Sequence, residues 1–83
     1  MNNLVLISGS SRGLGASIAK SFSKNGYEVA INYFNSEDKA IALSNELPNK
    51  SHTFKCDVSD KEDVLSMLSD IKKVFGHHPS ILI

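Results

Sequence analysis

Cysteine occurs once in these 83 residues, as Cys56, so no internal disulfide can form. A reducing, cytoplasmic setting is expected from that scarcity. Net charge is missing too, because nine acidic side chains balance nine basic ones. Without a long-range field, neither nucleic acid nor a membrane surface is an expected partner. No apolar run approaches the roughly 20 residues of a membrane-spanning helix. The start, Met1-Asn2-Asn3, lacks the basic segment of a secretion signal. Linkers, low-complexity tracts and close repeats are also absent. What is present is an ordinary globular composition, 41% hydrophobic and 22% charged, of a length for one small domain at most.

The apolar pattern alternates between short continuous runs and helical spacing. Residues 3–8 read as a strand covered on both faces. A helix is expected from Gly13 to Lys24, with Ile18, Ala19 and Phe22 facing inward and Asn25-Gly26 as its stop. Glu28 to Tyr33 form a second strand. A second helix starts near Ser36, read as its N-cap, presents Ala40, Leu43 and Leu47, and stops before Pro48. Strand three is expected over His52 to Val58, with Phe54, Cys56 and Val58 sharing one face and the thiol buried. Ser59-Asp60-Lys61-Glu62 has the form of a capping box opening helix three. That helix carries Val64, Met67, Leu68, Ile71, Val74 and Phe75 inward and ends at Gly76. Residues 80–83 begin a fourth strand. His77-His78 before Pro79 reads as a surface turn, and His52 carries no signal; neither is assigned a metal or catalytic role.

The order βαβαβαβ calls for right-handed crossovers and a parallel sheet ordered 3-2-1-4. This is an α/β fold, the first half of a doubly wound, Rossmann-like sheet. Ligands of such sheets lie across the carboxyl ends of the strands. There the chain reads Ser8-Gly9-Ser10-Ser11-Arg12-Gly13-Leu14-Gly15. A glycine-rich turn from a buried strand into a helix is a cradle for phosphate. Gly9 supplies a sharp turn, Gly13 lets backbone N–H groups approach an anion, and Gly15 lets the helix pack close to the sheet. Ser10, Ser11 and Arg12 add two hydroxyls and a fixed positive charge. The expected ligand is a dinucleotide.

The spacing G-x-x-x-G-x-G, with Asn32-Tyr33-Phe34-Asn35-Ser36 after strand two and Cys56-Asp57-Val58 after strand three, resembles the short-chain dehydrogenase/reductase family. Within it, the chain is most similar to the 3-oxoacyl-(acyl-carrier-protein) reductases. The resemblance implies that Gly9, Ser10, Ser11, Arg12 and Leu14 line the pyrophosphate and adenosine ribose, and that Asp57 and Val58 border the adenine. Gly13, Gly15, Asn32, Tyr33 and Ser36 are counted with them as cofactor-binding. Residues 1–83 are then the cofactor-binding part of a single domain, truncated in strand four. The family's Asn-Asn-Ala-Gly segment, its serine and its Tyr-x-x-x-Lys are expected beyond Ile83, so no residue is assigned as catalytic. Neither Tyr27 nor Tyr33 has a lysine four residues on.

NAD-selective sites place a carboxylate after strand two, where it bonds the ribose hydroxyls and repels a 2′-phosphate. Residues 32–36 carry none, and Arg12 can pair with phosphate, so NADP(H) is the expected cofactor. The substrate implied is a 3-oxoacyl thioester on acyl-carrier protein or another small carbonyl compound. A sugar or polyol, and a stand-alone non-catalytic dinucleotide-binding module, remain the alternatives. The apolar edge at Ile81-Leu82-Ile83 is open for pairing, so a homo-oligomer or association with the rest of a longer protein is expected.

Overall fold

The structure, a computed structural model, describes residues 3–9 and 13–83. Its elements run β1 (Leu4–Ser8), α1 (Gly13–Lys24), β2 (Glu28–Tyr33), α2 (Glu37–Glu46), β3 (Ser51–Lys55), α3 (Lys61–Phe75) and β4 (Ile81–Leu82). The sheet is ordered β3-β2-β1-β4 and every pairing is parallel. Val5 pairs with Val29 on one side and Ile81 on the other, and Ser8 pairs with Asn32.

Handedness decides where the helices go. The steps from β1 to β2 and from β2 to β3 move outward in one direction, so right-handed crossovers put α1 and α2 on the same face. The step from β3 back to β4 reverses direction, and α3 lands on the opposite face. Side chains of a strand alternate between those faces. Val5, Ile7, Val29, Ile31 and Tyr33 therefore pack with Ala19, Ala40, Leu43 and Leu47. Leu4, Leu6, Ala30, Phe54 and Cys56 pack instead with Met67, Ile71 and Phe75. β1 is thus covered on both sides, and each fully buried Leu or Ile contributes about 1.5–3 kcal/mol. No helix among the described residues is long and apolar enough to cross a membrane.

Four local expectations are corrected. β3 spans Ser51–Lys55 and does not reach Val58, because the backbone turns after Cys56. The Asp57 amide donates to the Asp63 carboxylate (2.9 Å), and Asp57 Oδ1 accepts from the Ser59 amide (2.9 Å) and hydroxyl (2.6 Å). Val58 leaves the buried face shared by Phe54 and Cys56 and is exposed. With Ser59 engaged there, the N-cap of α3 is Asp60, whose Oδ1 accepts from the amides of Glu62 (3.0 Å) and Asp63 (3.3 Å). Ser36 does precede α2, but its ψ of 58° is not extended and its side chain makes no capping bond. Glu37 and Asp38 in the first turn meet the helix dipole instead. β4 is two residues long, although the Ser80 and Ile83 amides continue its pairing by donating to the carbonyls of Leu4 and Leu6 (both 2.9 Å).

Candidate functional site

The carboxyl ends of β1, β2 and β3, with the start of α1, form one edge of the molecule. β1 delivers the chain into Gly9 and α1 begins at Gly13, both at φ 63°, a conformation that side chains with a Cβ rarely adopt. A Cβ built at either glycine meets none of the described atoms within 4 Å. Leu14 is exposed beside it, and Gly15 lies in the first turn of α1. Ser10, Ser11 and Arg12 lie outside the described residues.

Asn32 is buried and holds this edge together. Its Nδ2 donates to the carbonyls of Phe54 (3.3 Å) and Cys56 (3.2 Å), and its Oδ1 accepts from Ser8 Oγ (3.4 Å). The ends of three strands are thereby fixed by one side chain. Tyr33 follows, its ring in the α1/α2 core and its hydroxyl donating to Glu37 Oε2 at 2.8 Å. That bond, then burial, raises the tyrosine's pKa above its usual range. Ser36 is half-buried between them in sequence.

On the α3 side, a cleft of about 280 Å³ opens at the same edge. Leu6, Val58, Val64, Met67, Leu82 and Ile83 give it apolar walls, with Ser8 and Asn32 as polar members. Asp57 precedes the lining residue Val58 in the chain, its carboxyl held below the ordinary range by the hydrogen bonds from Ser59. Beneath, the Cys56 thiol is pushed up by burial and then by the carboxylates of Asp63, Asp57 and Asp60. An apolar wall beside a carboxylate suits a flat ring with an exocyclic amine.

The described residues expected at a dinucleotide site lie along one edge: Gly9 after β1, Gly13, Leu14 and Gly15 at the start of α1, Asn32, Tyr33 and Ser36 at or after the end of β2, Asp57 and Val58 after β3. Glu37, one residue past the stretch 32–36, joins this edge through the bond from Tyr33. His77, given no role above, is within 3.2 Å of Glu28 Oε1 through Nε2, at the amino ends of the strands and away from this site. No group of three or more metal-ligating side chains occurs among the described residues.

A parallel sheet of this order leading into α1 at a glycine defines the first half of a Rossmann-like α/β protein, and comparison with known proteins agrees. The sequence pattern of a family described as Enoyl-(Acyl carrier protein) reductase matches residues 9–81. The chain is 38% identical over 79 residues to 3-oxoacyl-(acyl-carrier-protein) reductase FabG of Staphylococcus epidermidis, covering 92% of this chain and 32% of that protein. It is 37% identical over 73 residues to sorbose reductase SOU1 of Candida albicans, covering 84% of this chain and 26% of that one. The crystal structure of a dehydrogenase/reductase from Sinorhizobium meliloti 1021 superposes with a TM-score of 0.90 at 28% identity, over 96% of this chain and 32% of that one. A metagenomic short-chain oxidoreductase crystallised with NADP shares the fold, with a TM-score of 0.86 at 22% identity, over 96% of this chain and 37% of that one. The chain belongs to the short-chain dehydrogenase/reductase family and corresponds to its amino-terminal part. The cofactor of that family is a nicotinamide dinucleotide, NAD or NADP.

Proposed function

We propose that residues 1–83 are the cofactor-binding part of a single Rossmann domain in an NADPH-dependent reductase. One observation carries the reading: Gly9 and Gly13 both take positive φ at the carboxyl end of the central strand. A pyrophosphate fits such a cradle, its charge facing the amino terminus of α1. In this reading Ser10, Ser11, Arg12, Leu14 and Gly15 complete the pyrophosphate and ribose contacts. Asn32, Tyr33 and Ser36 border the ribose. Asp57 accepts from the adenine amine while Val58 packs against the ring.

Arg12 and the uncharged stretch 32–36 favour NADP(H) over NAD(H). When bound, the nicotinamide supplies hydride to a carbonyl carbon; these residues bind and orient the other half of the molecule. A 3-oxoacyl thioester is the favoured substrate of the whole protein. The similarity to the Staphylococcus enzyme supports it, as does 34% identity over 76 residues to acetoacetyl-CoA reductase of Paracoccus denitrificans, which covers 92% of this chain and 31% of that one. The similarity to sorbose reductase favours a sugar carbonyl as the second reading. A reducing, cytoplasmic setting suits a protein whose one thiol, Cys56, is buried.

Amide NMR on the intact protein that carries this chain tests the site. Addition of NADPH is expected to move the signals of Gly9, Gly13, Leu14, Gly15, Asp57 and Val58. Those of Glu28 and His77, at the opposite edge, should stay in place. Shifts confined to that opposite edge would overturn the reading.

A further inference from the structure

The turn Gly76-His77-His78-Pro79-Ser80 joins α3 to β4 at the amino ends of the strands, away from the site described above. From it the His77 ring reaches Glu28, the first residue of β2, with Nε2 3.2 Å from Oε1. β1 lies between β2 and β4 in the sheet, and its Leu4 pairs with Glu28. The contact therefore crosses the amino end of β1 and joins the turn before β4 to β2. The other ring nitrogen, Nδ1, is 3.1 Å from the His78 carbonyl oxygen. An ionised carboxylate and a carbonyl can only accept, so both ring nitrogens must carry hydrogen to satisfy them. A neutral ring has one such hydrogen and turns a lone pair toward one of the two oxygens.

Glu28 is the one charged group paired with this ring among the described residues. β1 brings only the uncharged Asn3 and Leu4 to this end of the sheet. Lys50, at the start of β3, is committed to α3: its Nζ donates to the Val74 carbonyl (3.1 Å) and stands 5.1 Å from the centre of the Phe75 ring. Lys72 and Lys73 in the last turn of α3, Lys24 at the end of α1, and His78 are exposed, where solvent screens them. The His77 and Glu28 side chains are only 26% and 21% exposed, so their pairing is screened less. β4 depends on such support. It pairs only Ile81 and Leu82 with β1, extended by the Ser80 and Ile83 amides bonded to Leu4 and Leu6.

We propose that His77 and Glu28 form a proton-dependent clasp that holds β4 to the sheet. The clasp is complete only while the carboxylate is ionised and the imidazole carries two N–H groups. It opens when the ring loses one of them, as pH rises through the range in which histidine changes charge. The hold on β4 is therefore present below that range and lost above it. Leu82 and Ile83, at the other end of this segment, wall the cleft, so the clasp governs how firmly that wall is held. This inference does not depend on what the cleft binds.

Amide hydrogen exchange on the intact protein tests it, expressed as protection factors so that the intrinsic pH effect cancels. Between about pH 5.5 and 8, protection of the Ser80 and Ile83 amides is expected to fall about threefold or more. The Cys56 amide, bonded to the Tyr33 carbonyl at the opposite edge, should show no such fall. Glu28→Gln should remove most of the fall at Ser80 and Ile83, and His77→Gln all of it, with circular dichroism confirming that each variant is folded. His78→Gln should behave as wild type. Protection at Ser80 and Ile83 that is flat with pH in the wild type, or that falls equally in folded Glu28→Gln, would overturn the proposal.

Discussion

Gly13 is constrained by its backbone, and in the dinucleotide reading by the ligand as well. At φ 63° a β-branched residue is strongly disfavoured, and in that reading its side chain would compete with the pyrophosphate. Gly13→Val is expected to abolish dinucleotide binding by calorimetry while circular dichroism still reports the helices; unchanged affinity would make the turn purely structural. Asp57 supports a second prediction. Its carboxyl titrates below the ordinary range because Ser59 donates to it twice. A depressed folded pKa contributes stability above the unfolded pKa and loses it as pH falls through the folded one. Ser59→Ala should therefore move the Asp57 titration upward in a carbon-detected NMR experiment, and an unmoved curve would assign the shift to another cause. The glycines were legible because few residues can do what they do. Glu37 was not, because its place is defined by a bond from Tyr33 that spans a strand end and a helix start.

At the scale of the element, helix bodies were legible and their beginnings less so. α1 and β2 follow the sequence expectation, and α3 ends where Gly76 donates its amide to the Lys72 carbonyl. Periodicity fixes such segments over many residues at once. Caps depend on single short polar side chains that have several neighbours to choose from. Ser59 turns to Asp57, which leaves Asp60 to cap α3; Ser36 makes no capping bond at all. Asp60→Ala should cost about 1 kcal/mol in chemical denaturation. Ser36→Ala should stay within about 0.5 kcal/mol, as surface changes do. The reverse ranking would mean that the capping assignment is wrong. The end of β3 was misjudged for the same local reason, since the Asp57 turn interrupts an apolar alternation that reads onward to Val58.

For the whole molecule, the strand order was legible because handedness leaves one solution for this succession of elements. The depth of the cleft beside α3 was not, since it depends on how Val58, Val64 and Met67 meet β1 and β4. β4 is an edge with Leu82 70% exposed, next to that cleft. An open apolar edge on so small a domain invites pairing. The isolated 83 residues are expected to associate in light scattering and to show no NADPH oxidation with a 3-oxoacyl thioester; a stable monomer with turnover would mean that the active site has been misplaced. The central claim is that this edge binds a dinucleotide and that Arg12 makes it prefer the 2′-phosphorylated form. Fluorescence titration of the intact protein with NADPH and NADH tests it most directly. NADPH should bind at least about tenfold more tightly, a difference of about 1.4 kcal/mol, and Arg12→Ala should remove most of that gap. Equal affinities in the wild type, or binding of neither cofactor, would contradict the account.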